Sequence, residues 1–124
     1  MADKLKISVE TSAKLNHLSA RLDLRRNIIC RIAIGKSFSM NTKVDFCVTG
    51  DSGGYEFNKT TIMGSEEFIF KAIASKIQGC TLSEDNFFNV IIRNHIERGV
   101  AQLFEEYEKI NSPTEFMRKL LNDM

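Results

Sequence analysis

The chain has 124 residues, of which 43% are hydrophobic and 27% charged, with one proline and seven glycines. This composition is typical of a single folded domain and excludes a disordered or fibrous protein. The formal net charge is only +1, but residues 1–36 carry eight cations and three anions, whereas the remainder carries nine cations and thirteen anions. A basic end of this kind points to a polyanionic partner such as nucleic acid.

The chain lacks the patterns of membrane, secreted and metal-binding proteins. No stretch approaches the ~20 apolar residues that span a bilayer, and the first residues lack a signal peptide's apolar run, so we expect a cytoplasmic protein without a membrane partner. Cys30, Cys47 and Cys80 are too widely spaced for a zinc site or disulfide framework, and we expect reduced, mostly buried thiols. His17 and His95 lack metal-ligand spacing. We therefore predict no metal and no cofactor.

The first 40 residues predict a strand followed by two helices. Residues 4–9 alternate polar and apolar side chains, as a half-buried strand does. Ser8 or Thr11 can cap the next helix, in which leucines recur at helical spacing until about Asp23. The second helix is predicted from about Arg25 to Phe38, and it is apolar nearly all the way round.

This order resembles the ribbon-helix-helix DNA-binding unit, in which two chains exchange strands over interlocked helices. So small a unit cannot bury the second helix by itself, and dimerisation would supply the missing cover. The resemblance turns Leu5, Ile7 and Val9 toward the dimer core and Lys4, Lys6 and Ser8 outward. Arg25 and Arg26 would lie at the amino end of the second helix, where free N–H groups and the helix dipole favour phosphate.

Residues 39–64 are polar and glycine-rich and predict an extended loop, with a short hairpin through residues 44–48. The loop contains Gly50-Asp51-Ser52-Gly53-Gly54, the string that surrounds the nucleophilic serine of chymotrypsin-like proteases. That chemistry needs an oriented histidine and a much longer two-barrel scaffold, so a flexible turn is the better interpretation.

Three further helices are predicted after residue 64. The first runs from a cap at Ser65 to Gly79, the second from Ser83 to about Ile110, and the third begins at the capping box Ser112-Pro113-Thr114-Glu115. Their apolar stripes, expected to face inward, are Ile69, Ile73 and Ile77; Phe88, Ile92, Ile96, Val100, Leu103, Tyr107 and Ile110; and Phe116, Met117, Leu120 and Leu121. Opposite the second stripe, Arg93, Glu97, Arg98, Glu105 and Lys109 are expected to form a solvated face.

These patterns predict a mainly α fold in one domain, residues 1–124. Its parts are a ribbon-helix-helix-like unit (1–40), a loop (39–64) and a helical part (65–124). The adjacent carboxylates of Glu105, Glu106 and Glu108 point in different directions and so do not form an acid–base pair. We therefore expect no catalytic residues.

Three segments resemble the DndE family of the bacterial DNA phosphorothioation system, which replaces a backbone phosphate oxygen by sulfur. They are residues 27–33 (NIICRIA), 54–64 (GYEFNKTTIMG) and 95–100 (HIERGV), in matching order and separation. The middle segment is the most specific. One departure is that Arg25-Arg26 stands where the family has threonine and proline, which makes this helix start more basic.

The resemblance implies a homo-oligomer, expected to be a tetramer built as a dimer of dimers, that binds double-stranded and also nicked DNA. Partner proteins would perform the sulfur chemistry: a cysteine desulfurase, an iron–sulfur protein related to PAPS reductases, and an SMC-like ATPase. The residues that we predict to bind DNA are Lys4, Lys6, Arg21, Arg25, Arg26, Lys36 and Lys59.

Two alternatives to this non-catalytic DNA-binding subunit stay open. One is a ribbon-helix-helix repressor that reads an operator through Lys4, Lys6 and Ser8. The other is an assembly subunit whose acidic long helix holds the sulfurtransferase and ATPase components.

Overall fold

A computed structural model describes residues 3–123 of the chain. The elements, in order, are β1 (Lys4–Lys6), α1 (Val9–Leu22), α2 (Arg26–Ser39), β2 (Glu56–Asn58), α3 (Lys59–Met63), α4 (Glu67–Gln78), α5 (Glu84–Asn86), a π-helical segment (Phe87–Ile92), α6 (Arg93–Ile110) and α7 (Pro113–Asp123). The predicted mainly α fold in a single domain is confirmed.

Local capping signals account for some of the helix ends. Ser8 caps α1 because its Oγ accepts a hydrogen bond from the Thr11 N–H at 3.1 Å. Gly79 ends α4 in the left-handed conformation, with φ of 77°. At the other end, α4 begins at Glu67 with Glu66 as its N-cap, so the predicted cap at Ser65 is wrong.

The strand β1 pairs antiparallel with β2 of the same chain, with Leu5 opposite Phe57. The predicted exchange of β1 with a second copy is therefore wrong. Leu5 and Ile7 are buried within their own chain, whereas Val9, the first residue of α1, is 58% exposed. The extended loop predicted for residues 39–64 is confirmed for residues 41–55 but is wrong for residues 56–63, which form β2 and α3. The hairpin predicted through residues 44–48 is also wrong.

The centre of the core is the crossing of α2 and α6. A Cβ atom built on Gly99 of α6 would lie only 2.0 Å from the carbonyl oxygen of Ala33 in α2, so the two backbones are in direct contact. Helices α1 and α3 also pack on α2. The burial of α2 is thus achieved within one chain and does not require the dimer that the sequence suggested.

The predicted solvated face of α6 is wrong at Arg93, which is 0% exposed. Its guanidinium donates hydrogen bonds to the carbonyl oxygens of Lys6 at 3.0 Å and Asp51 at 2.6 Å, and to that of Thr49. The Glu97 carboxylate lies 3.8 Å away. Carbonyl acceptors and a carboxylate together offset the cost of burying the charge.

Two further residues of α6, Asn94 and Arg98, have a similar role. Asn94 donates to the carbonyl oxygens of Asp45 at 2.9 Å and Cys47 at 2.8 Å. Arg98 donates to the carbonyl oxygen of Thr42 at 2.9 Å and also to α2. These side chains therefore hold residues 42–51, which have no regular secondary structure, against α6.

His95 is fully buried between α6 and α2. Its Nδ1 lies 2.7 Å from the Ser37 hydroxyl, and its ring packs edge-on against Phe38 at 4.7 Å between centroids. Burial lowers the pKa of His95 from 6.5 to about 4, and the nearby Arg98 charge acts in the same direction. The imidazole is thus neutral in the folded protein at neutral pH.

The apolar stripe predicted on the long helix, which spans the π-helical segment and α6, faces inward as expected. The stripe predicted on α4 is wrong at Ile69 and Ile73, and that on α7 is wrong only at Leu121. On α4, Phe68 is 82%, Ile69 55% and Ile73 40% exposed, because α4 packs through its other side. On α7, Phe116 is buried while Leu121 is 70% exposed. Both helices therefore present apolar side chains on the outside.

Replacing Gly99 by alanine tests the contact between α2 and α6. We expect a loss of at least about 2 kcal/mol in the free energy of unfolding, since the new methyl group would overlap the Ala33 carbonyl. The control is Gly35→Ala on the open side of α2, which should gain roughly 0.5–1 kcal/mol because alanine favours helix. Urea denaturation measures the free energy of unfolding of both variants. An equal change for Gly99→Ala and Gly35→Ala would contradict the close contact between α2 and α6.

His95 makes stability depend on pH in a defined window. Between the unfolded pKa of 6.5 and the folded value of about 4, the unfolded chain binds a proton that the folded chain does not. The free energy of unfolding should therefore fall with decreasing pH through this window, by up to about 1.4 kcal/mol per pH unit. Urea denaturation from pH 7.5 to 4.5 should show a shallower slope for His95→Gln than for the exposed control His17→Gln. Equal slopes would contradict this assignment.

Candidate nucleic-acid interface

The amino end of α2 is exposed and basic. Arg25 is the N-cap, its side chain makes no capping hydrogen bond, and the first turn contains no acidic residue. Both Arg25 and Arg26 are exposed. The free N–H groups and the positive end of the dipole of this 14-residue helix add to the two guanidinium charges.

Arg26 is held in place by two residues that the sequence did not indicate. Its guanidinium lies 4.3 Å from the centroid of the Tyr55 ring and donates to the Tyr55 hydroxyl at 2.9 Å and to the Asn16 side-chain oxygen at 3.2 Å. The Tyr55 hydroxyl also donates to Asn16 at 2.9 Å. Linear spacing offers no signal for this cluster, because its members come from α1, α2 and the segment before β2.

The outer face of the sheet carries the predicted lysines. Lys4 and Lys6 are both exposed, and Lys4 forms an ion pair with Glu56 at 3.6 Å. Lys6 has no acidic partner within the described part of the chain. Ser8, predicted to face outward, is only 6% exposed, and it donates from its N–H and its hydroxyl to Glu97 at 2.7 and 2.9 Å. It therefore cannot read a DNA base in this conformation.

The other three predicted residues lie elsewhere. Arg21 is exposed and donates to the Tyr107 hydroxyl at 3.0 Å. Lys36 is ten residues after Arg26, roughly 15 Å further along α2, and pairs with Glu106 at 3.0 Å. Lys59 pairs with Glu67 at 3.2 Å and with Glu84 at 3.7 Å. To bind phosphate, Lys36 and Lys59 would each have to leave a carboxylate.

The protease-like string forms a structural turn. The Asp51 carboxylate accepts hydrogen bonds from the N–H groups of Gly53 and Val9, both at 3.0 Å, and these lower its pKa. Gly50 adopts a φ of 72°. His17 packs against aromatic rings of α6, and Ser52 has no hydrogen bond to either histidine. The residues of a serine-protease site are not brought together.

The cysteines divide into one buried and two exposed thiols. Burial raises the pKa of Cys30 to about 12, which leaves it unreactive at neutral pH. Cys47 and Cys80 are exposed, so the expectation of mostly buried thiols is wrong. Within residues 3–123 no three His, Cys, Asp or Glu side chains cluster as metal ligands would.

No helix within the described residues has both the length and the apolar character to cross a membrane.

Comparisons with known proteins give a family match and a similar fold. Residues 4–111 match the family of the DNA sulphur modification protein DndE. The fold is similar to the crystal structure of DndE from Escherichia coli B7A, involved in DNA phosphorothioation modification, with a TM-score of 0.66 and 18% sequence identity over 80% of this chain and 95% of that chain. No protein with curated annotation matches at a significant level. Because the family match spans most of the 124 residues, the chain belongs to the DndE family.

Proposed function

We propose that this protein is a non-catalytic DNA-binding component of the DNA phosphorothioation system. It binds double-stranded DNA, including nicked DNA, as a homo-oligomer and works with sulfurtransferase and ATPase components that perform the chemistry. The observation that carries the proposal is the exposed amino end of α2, where Arg25 and Arg26 meet the helix dipole.

The positive charges at the amino end of α2 suit the phosphates of the DNA backbone. Phosphates are favoured where guanidinium groups and free helical N–H groups converge. Arg26 is pre-oriented by Tyr55 and Asn16, so less side-chain freedom is lost when a phosphate binds. Lys6 on the outer face of the sheet adds a cation without an acidic partner in the described chain.

The contacts suit binding that is largely independent of sequence. A repressor of the ribbon-helix-helix type reads bases with a ribbon shared by two chains. Here β1 pairs with β2 of its own chain. The Ser8 hydroxyl already accepts a hydrogen bond from the Thr11 N–H and donates one to the Glu97 carboxylate. We therefore favour phosphate contacts over operator recognition.

The assembly function is compatible with DNA binding. Glu105 and Glu108 are exposed and give α6 an acidic surface, on a different helix from the one that begins at Arg26. Such a surface can face the partner components while the basic end faces DNA.

The first test compares two double variants of equal charge. Arg25→Glu with Arg26→Glu should weaken binding of a labelled duplex at least about 10-fold and reduce the slope of log K against log salt by about 2, since two phosphate contacts are lost. The control, Lys76→Glu with Lys119→Glu, changes the net charge equally at exposed lysines elsewhere.

Fluorescence anisotropy at several salt concentrations checks both variants, on intact and nicked duplexes. Binding by the wild type that does not change between low and physiological salt would contradict the proposal. Equal losses for the two double variants would show that only net charge matters. Footprinting that protects one specific sequence would favour the repressor instead.

The second test concerns the thiols. Cys47→Ser with Cys80→Ser removes both exposed thiols, and Cys30→Ala removes the buried one; phosphorothioate should still be detected by mass spectrometry of cellular DNA in both cases. The non-catalytic role fails if either variant abolishes modification while the purified protein still folds and binds DNA.

A further inference from the structure

A groove of about 500 Å³ lies between α2 and α7. Its apolar lining comes from one residue of α2 and three of α7: Ile32, Met117, Leu120 and Leu121. The family match ends at residue 111, before α7 begins at Pro113. The groove therefore depends on a helix outside the matched region.

Two features of α2 give the groove its specificity. Gly35 leaves a notch, because a Cβ atom built there would have no neighbour within 4 Å. Arg31, at the edge of the groove, is half-buried and donates to the Ile62 carbonyl, but it has no acidic partner within residues 3–123. The groove thus suits a bulky apolar side chain accompanied by a carboxylate.

The chain itself carries a segment of this chemistry. Helix α4 exposes Phe68, Ile69 and Ile73, the first at 82%. Glu66, immediately before the helix, is exposed and has no ion pair within the described residues. Contiguous exposed apolar side chains of this kind typically mark a contact surface.

We propose that the groove between α2 and α7 binds the α4 face of a second copy of this chain, with Phe68 over Gly35 and Glu66 near Arg31. Helix α4 packs on α2, so the groove and the α4 face both border α2. A two-fold symmetric dimer can then contain this contact twice, with the groove of each copy binding the α4 face of the other. This rests on the homo-oligomer of the proposed function and specifies one of its interfaces.

Two variants disrupt opposite sides of the contact. Phe68→Glu removes the apolar side chain and adds a charge, and Gly35→Phe places a ring in the notch, at a position where a Cβ atom has no neighbour within 4 Å. Each should raise the dissociation constant of self-association at least about 10-fold. The control is Phe46→Glu, at an aromatic residue that is 51% exposed and outside both surfaces.

Light scattering with size-exclusion chromatography of the full chain measures the mass, and circular dichroism confirms folding. Mixing the two variants should restore a complex, because the intact α4 of Gly35→Phe meets the intact groove of Phe68→Glu. A monomeric wild type, variants that keep the wild-type mass, or a mixture that stays dissociated would each overturn the proposal. Binding of duplex DNA is measured separately by fluorescence anisotropy. A failure of the proposed contact between copies can then be distinguished from a failure of the proposed DNA binding.

Discussion

The fold depends on one buried cation, Arg93. Residues 41–55 have no regular secondary structure, so their backbone carbonyls lack the partners that a helix or sheet would supply. Arg93 supplies donors to the carbonyls of Thr49 and Asp51 and to that of Lys6 in β1, and it thereby joins loop, sheet and helix at one point. An apolar side chain of similar size would leave those carbonyls without a donor, so at this position the charge is structural.

The position of the candidate interface follows from this arrangement. The loop held by α6 ends at Tyr55, whose N–H donates to the Ser12 hydroxyl at 2.9 Å and whose carbonyl accepts from Ile7 at 3.0 Å. Gly54 allows this close approach, since a Cβ atom there would lie 2.1 Å from the Ser12 Oγ. Tyr55 is fixed on both sides, and through it Arg26 is fixed as well. The basic end of α2 is thus ordered by residues far from it in sequence.

Features that depend on neighbouring residues could be predicted from the sequence, whereas features that depend on residues far apart in the chain could not. Helix ends with local signals, such as the caps at Ser8 and Gly79, followed from neighbouring residues alone. The inward stripe expected on α4 was wrong because periodicity shows that a face is apolar but not which neighbour covers it. Arg93 was wrongly expected in solvent because its acceptors come from distant segments. The cluster of Tyr55 with Arg26 had no sequence signal, since it forms only when two chain segments meet.

The pairing of β1 with β2 also constrains how the protein folds. Leu5 lies opposite Phe57, and Ser8 bonds Glu97, a residue 89 positions later. Contacts of such wide separation form late, because a long stretch of chain must be ordered before they are made. During synthesis the basic amino-terminal segment therefore stays without its native surroundings until α6 has left the ribosome. The basic charges are carried by the nascent chain as well, but the packing of α1 and α2 that sets their native arrangement is complete only once α6 has been made.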